Sequence, residues 1–164
     1  MIGEMINVVG LIISIFVFNY CAFRLNKHLN KNQILHIYIF SIAFQLLFDI
    51  IIDFKLHAYW YFTIAIEWHV LLYALFLVPP VNILFLNCFP FKKSITKKII
   101  AICLWNFAFL LYEFIALFPE PWGYFHYGWW KWWYSALLNP FLLYLVITYY
   151  RFIQKIEKST LASH

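Results

Sequence analysis

Residues 99–118 read IIAICLWNFAFLLYEFIALF, a run of twenty residues that contains one charged side chain, Glu113. A helix of roughly 20 apolar residues is long enough to cross the hydrocarbon core of a bilayer. Four lysines lie just before this run, between residues 92 and 98, and the next basic residue after it is Lys131. Because Lys and Arg beside membrane helices concentrate on the cytoplasmic side, the stretch predicts a transmembrane helix that runs outward.

The rest of the chain has the same apolar character. Of its 164 residues, 65% are hydrophobic and 12% are charged, whereas an ordinary soluble domain is about half apolar and a quarter charged. A soluble domain of this size leaves much of its surface in water and could not bury so many apolar side chains. The net charge of +5 lies in short clusters between apolar runs, which indicates membrane topology, and no nucleic-acid partner is expected.

The apolar runs predict one all-α integral membrane domain, residues 1–164, with about five transmembrane helices. The runs are continuous, and they are longer than the roughly ten residues of a barrel strand, so strands are not expected. Pro79 and Pro80 interrupt the third run, and proline kinks or ends a helix; residues 79–89 therefore either continue the third span or lie along the inner interface. The predicted spans are 5–23, 34–52, 61–78, 99–118 and 134–150.

The basic residues also predict the orientation. Ten of the twelve Lys and Arg residues fall in the first and third connections or after the fifth run. The positive-inside rule then puts the N-terminus outside and the C-terminus in the cytoplasm, with residues 151–164 as a short basic cytoplasmic tail. The basic loops and tail are expected to contact anionic lipids of the inner leaflet.

Several ionisable residues interrupt the spans, where charge is costly and is usually functional. On the predicted topology, three helices hold carboxylates in the outer half of the membrane. Gln45, Asp49 and Asp53 also recur every four residues, so they form one stripe on a helix. The sequence therefore predicts an outward-facing acidic pocket. Its candidate binding residues are Gln45, Asp49, Asp53, Glu67, His69 and Glu113.

Such a pocket has several interpretations. Carboxylates crowded in a low dielectric can hold protons, or they can bind a cation: Na⁺, a hard metal, or zinc or manganese if His69 takes part. A small basic ligand, held also by cation–π attraction to neighbouring rings, is equally open. Alternatively, the acids hydrogen-bond to amides and hydroxyls of neighbouring helices and only hold the bundle together. No cofactor motif is present, so a metal cation is the one cofactor left open.

The aromatic stretch after residue 121 has two interpretations of its own. Trp and Tyr favour the headgroup level of a membrane, so the stretch is either an interfacial belt or a lid over the pocket. The residues that would form the belt or the lid are Trp122, Tyr124, Trp129 and Trp130.

Three kinds of function remain open from these patterns. The first is a binding protein with the acidic pocket described above. The second is a structural or assembly subunit whose aromatic loop contacts a partner membrane protein or a second copy of the chain. The third, a small membrane enzyme acting on lipid, is less favoured because the spacing shows no nucleophile with a base to activate it.

From about residue 73 to 158 the chain resembles a family of small multi-pass membrane proteins of spore-forming Gram-positive bacteria. The resemblance rests on Asn87-Cys88-Phe89-Pro90, on Tyr112-Glu113, and on the segments 122–125 and 127–131. It implies a bacterial plasma-membrane location and no particular activity.

Overall fold

The computed structural model describes residues 8–64, 71–119 and 122–162. The described part of the chain is mostly helical, at 76%, and contains five α-helices. A π-helical segment, Ile50–Lys55, extends the second helix, and another, Tyr73–Leu77, leads into the third. The helices are α1 (Val9–Arg24), α2 (Lys31–Asp49), α3 (Val78–Cys88), α4 (Ile95–Ala116) and α5 (Trp132–Ala162).

Within the described ranges, three helical segments are long and apolar enough to cross a membrane. They are Lys31–Lys55, Ile95–Ala116 and Trp132–Thr160, while Val9–Arg24 and Tyr73–Cys88 are shorter apolar helices. Large apolar side chains such as Phe16, Leu104 and Leu137 lie exposed on the outside of the bundle, where lipid is a suitable solvent for them. The prediction of an apolar, mostly helical protein is confirmed. The three long helices indicate membrane association.

The expectation that the chain forms no strands is wrong. Two three-residue strands, β1 (Tyr59–Tyr61) and β2 (Phe125–Tyr127), pair antiparallel, with Trp60 opposite His126. The predicted third span began at Tyr61, which instead belongs to β1. Aromatic residues favour strands, and periodicity alone does not separate a short apolar strand from a buried helix.

The structure also describes where the third helix lies along the chain. Pro79 and Pro80 fall in the first turn of α3, which continues to Cys88. Because the π-helical segment runs directly into α3, the N–H that Pro80 lacks would have served a carbonyl of the preceding turn. The tail is likewise helical: residues 151–162 continue α5, and Ile153 is buried in the core.

The helices pack in a definite order. α3 contacts both α1 and α2, while α5 contacts both α2 and α4. One apolar core lies between the helices around Ile37, Phe85 and Leu143. A second surrounds the strands and contains Leu11 of α1, the two tyrosines of β1, and Tyr124 just before β2.

Two prolines leave backbone carbonyls without helical hydrogen-bond donors, and asparagines from other helices donate to these carbonyls instead. Pro80 and Pro140 have no N–H, so the carbonyls four residues earlier, those of Phe76 and Ala136, lose their intrahelical donors. The amide of Asn19 in α1 donates to Phe76 O at 2.8 Å. The amide of Asn106 in α4 donates to Ala136 O at 2.9 Å. We call these two arrangements the proline–asparagine clasps; the first joins α1 to the π-helical segment before α3, and the second joins α4 to α5.

The second clasp leads to a double-mutant prediction. Asn106→Leu should lower the free energy of unfolding by about 1–3 kcal/mol, because a buried carbonyl loses its donor. In a Pro140→Ala background the N–H of residue 140 can serve Ala136 O instead, and Asn106→Leu should cost about 1 kcal/mol less. Reversible unfolding in mixed micelles measures both costs. Equal costs in the two backgrounds would show that Asn106 stabilises the bundle in some other way.

Candidate functional site

A cavity of about 250 Å³ lies inside the bundle. Most of its wall is aromatic or aliphatic, with contributions from every helix and from both connecting segments that carry the strands. On α4 the lining residues recur from Trp105 to Ala116, which corresponds to about 16 Å of helix rise. On α2 they extend from Phe40 to Phe48, about 12 Å. The cavity is therefore elongated along the helices.

Glu113 lies in the wall of this cavity. Its Oε1 accepts a hydrogen bond from Ser135 Oγ at 2.8 Å and another from the Tyr127 hydroxyl. Ser135, in the first turns of α5, in turn accepts from Trp130 Nε1 at 2.9 Å. Among the described residues these hydrogen bonds reach Oε1 alone.

Tyr127 is held as a donor to this carboxylate. β2 ends at Tyr127, so pairing with β1 sets the position of its ring. Burial, and after it the hydrogen bond to Glu113, raises the pKa of Tyr127 above its ordinary value. The hydroxyl therefore stays protonated at neutral pH and donates to Glu113.

Asp49 forms a separate network beside the cavity. It is 1% exposed, and Gln45 Nε2 donates to both of its oxygens, at 2.9 and 3.0 Å. The Tyr59 hydroxyl also donates to Oδ1 at 2.9 Å. Burial, followed by the charge of Asp49, raises the pKa of Tyr59 well above its ordinary value. Asp49 is thus already bound by two donors, and it does not line the described wall of the cavity.

The predicted binding residues therefore separate into groups. Gln45 and Glu113 line the same cavity, and Asp49 reaches it only through Gln45. Asp53 is buried, at 2% exposed, in the π-helical segment after α2, outside the described cavity wall. Glu67 and His69 lie outside the described residues.

Four tyrosines form much of the polar wall, and we call them the tyrosine cluster: Tyr61, Tyr73, Tyr112 and Tyr124. The hydroxyls of Tyr112 and Tyr124 are 2.8 Å apart, and the rings of Tyr61 and Tyr73 have centroids 4.6 Å apart. The sequence pointed to Tyr112 within the family resemblance and to Tyr124 as a belt or lid residue, and it did not single out Tyr61 or Tyr73. With 12 tyrosines in the chain, no spacing signal marks these as a set.

The deeper part of the cavity has fewer polar groups. Asn82 Nδ2 donates to Ser41 Oγ at 2.9 Å, and Ser41 donates to the Ile37 carbonyl. Around them the wall consists of Phe40, Trp105 and aliphatic residues of α5. The cavity is consequently polar near Glu113 and largely apolar toward Trp105.

The aromatic stretch contributes to both interpretations given for it. Tyr124 and Trp130 are buried, and Tyr124 lines the cavity. Trp122 and Trp129 are 56% and 51% exposed, as expected for side chains that contact headgroups. The indole of Trp129 donates to the Leu56 carbonyl at 2.9 Å, which ties the stretch to the end of the π-helical segment after α2.

Charge distinguishes the cavity from an ordinary packing defect. Of the described lining residues, Glu113 is the one with a carboxyl group, and none is Lys, Arg or His. In the described part of the chain, no group of three or more His, Cys, Asp or Glu residues is arranged to hold a metal ion. A single carboxylate beside aromatic faces is an arrangement that can bind an organic cation.

No protein-family model, curated protein or solved structure matches the chain. The function is therefore argued from the geometry of the cavity.

Proposed function

We propose that this chain is a five-span bacterial plasma-membrane protein that binds a small organic cation in its intramembrane cavity. In this proposal the N-terminus lies outside, the C-terminus lies in the cytoplasm, and Glu113 lies in the outer half of the bilayer. The distribution of basic residues supports the orientation. The proposed role is binding, with no chemical step.

The observation that carries the proposal is one carboxylate, Glu113, in an aromatic cavity whose described wall has no basic residue. A carboxylate held inside a membrane without a cationic partner is costly, and a proton or a bound cation lowers that cost. Two hydroxyl donors hold Oε1 in place, so the carboxylate is oriented before a ligand arrives. Such prior orientation lowers the entropic cost of binding.

An organic cation fits this wall better than a metal ion does. Ca²⁺ takes six to eight oxygen ligands, and Mg²⁺ needs near-octahedral coordination. The wall supplies one carboxylate and isolated amides, whereas aromatic rings such as those of Tyr73, Tyr112 and Trp105 surround the space. Aromatic faces attract an ammonium group and also bind its apolar substituents.

Two ligands of equal size test the proposal. Phenethylamine and 2-phenylethanol differ in whether the end group is an ammonium or a hydroxyl. Isothermal titration of the protein in nanodiscs should show tighter binding of the amine. Glu113→Gln should weaken amine binding about tenfold, because a charge-assisted hydrogen bond contributes about 1.5–3 kcal/mol, and it should leave alcohol binding unchanged.

A matched control is available in the same protein. Glu157 lies about 33 Å further along α5 than Ser135, and it binds the side chains of Asn32 and Gln33. Glu157→Gln should therefore leave the affinity for phenethylamine unchanged. Equal affinity of the wild-type protein for amine and alcohol would contradict the proposal, as would absence of binding by both.

A further inference from the structure

The shape of the cavity narrows the class of ligand, on the assumption that the proposed function is correct. We infer that the cavity takes a single-chain amphipathic amine of about ten non-hydrogen atoms, with its ammonium at Glu113 and its tail toward Trp105. Three features of the cavity support this class of ligand: its volume, the direction in which it extends from Glu113, and the change in wall chemistry along that direction.

The volume sets the size of the ligand. An apolar cavity of about 150 Å³ holds benzene, about 25 Å³ for each non-hydrogen atom. On that scale the observed 250 Å³ holds about ten such atoms. A two-chain lipid is several times larger. The occupant is therefore a free small amphiphile, and the surrounding bilayer lipids are excluded by size.

The position of Glu113 sets the direction of the tail. On α4 the cavity wall extends three residues beyond Glu113 toward Ala116, but eight residues in the other direction, to Trp105. Those distances correspond to about 4 Å and about 12 Å of helix rise. A molecule held at Glu113 by its ammonium therefore has space for a tail on the Trp105 side.

The wall along that longer direction suits an apolar tail. It is formed mainly by Phe109, Trp105 and the aliphatic side chains that α5 contributes between Leu142 and Val146. Its polar side chains already have partners: Asn82 donates to Ser41, and Asn139 donates to Asn106. The tyrosine cluster, by contrast, includes Tyr112 beside Glu113, and the hydroxyl of Tyr112 is paired with that of Tyr124. The polar wall near Glu113 thus matches the ammonium head of an amphipathic amine, and the apolar wall toward Trp105 matches its tail.

A series of straight-chain primary amines, from propylamine to dodecylamine, tests the inference by titration in nanodiscs, with partition into empty nanodiscs subtracted. Affinity should rise about fourfold for each added CH₂ as the tail fills the cavity. The rise should stop near nine carbons, where nitrogen and carbons together fill the cavity.

Two substitutions separate the parts of the site. Ala108 lines the wall five residues before Glu113, about 7 Å along the helix. Ala108→Leu should shorten the longest amine that still gains affinity by several carbons, while propylamine binds as before. Glu113→Gln should weaken every member of the series by the same factor, about tenfold.

The outcomes distinguish the two proposals. If no amine of the series binds, and phenethylamine also fails to bind, the proposed function itself is wrong. If the amines bind but their affinities do not depend on chain length, or Ala108→Leu leaves the limit unchanged, cation binding stands and the amphiphile inference is overturned.

Discussion

Gly10→Ala is expected to lower the free energy of unfolding by at least about 3 kcal/mol, the upper end of the usual cost of overpacking. A methyl group at this position would lie 2.0 Å from the carbonyl oxygen of Trp122 and 2.9 Å from its carbon. Both are backbone atoms, so no side-chain rotation relieves the clash. The N-terminal part of α1 would have to move away from the loop before β2, and Leu11, now fully buried, would move with it.

Thermal unfolding in detergent measures this effect, with Ile13→Ala as the matched control. Ile13 is on the same helix and is exposed, so truncating it removes little buried surface and should cost under about 0.5 kcal/mol. If Gly10→Ala unfolds within a degree of the control, α1 does not need its close contact with Trp122.

Asp49→Leu is expected to lower the free energy of unfolding by about 3 kcal/mol. The substitution leaves Gln45 Nε2 and the Tyr59 hydroxyl without the acceptor that they share. Each buried donor that loses its acceptor costs about 1–3 kcal/mol, and the apolar gain from leucine offsets only part of the two together.

Asp49→Asn is the informative companion variant. Its amide oxygen can still accept from Tyr59, so its cost should be about half or less of that of Asp49→Leu. Phenethylamine should bind Asp49→Asn with the affinity of the wild-type protein, because Asp49 is outside the described cavity wall. A large loss of amine affinity in Asp49→Asn would instead return Asp49 to the binding site that the sequence suggested.

The helices were predictable from the sequence because their signal is local. The run at 99–118 lies within four residues at either end of α4, Ile95–Ala116, since lysines precede it and Pro119 follows it. The third run misled at its first residue, Tyr61, which is as apolar as a helix requires but belongs to the strand Tyr59–Tyr61. What makes these three residues a strand is their pairing with residues 125–127, more than sixty positions away, and no local pattern shows that partner.

The residues of the candidate site were likewise predictable where their signal is local and unpredictable where it depends on distant contacts. Gln45 and Glu113 could be selected because a polar residue inside an apolar run stands out at once. Asp49 stands out equally, yet Tyr59 and Gln45 bind its oxygens, and only the fold determines that. Ser135 and Tyr127, which orient Glu113, are ordinary residues at the edges of apolar runs, so their role depends on contacts across 22 and 14 positions.

The proline–asparagine clasps have a consequence for biosynthesis. Asn19 and Phe76 belong to the first half of the chain, and Asn106 and Ala136 to the second, so neither clasp needs a residue from the other half. As the chain leaves the ribosome, the first three helices can satisfy Phe76 O before α4 is made, and the last two can do the same for Ala136 O. Two halves produced as separate polypeptides can therefore each fold with these carbonyls bound, and then join along the contact between α2 and α5.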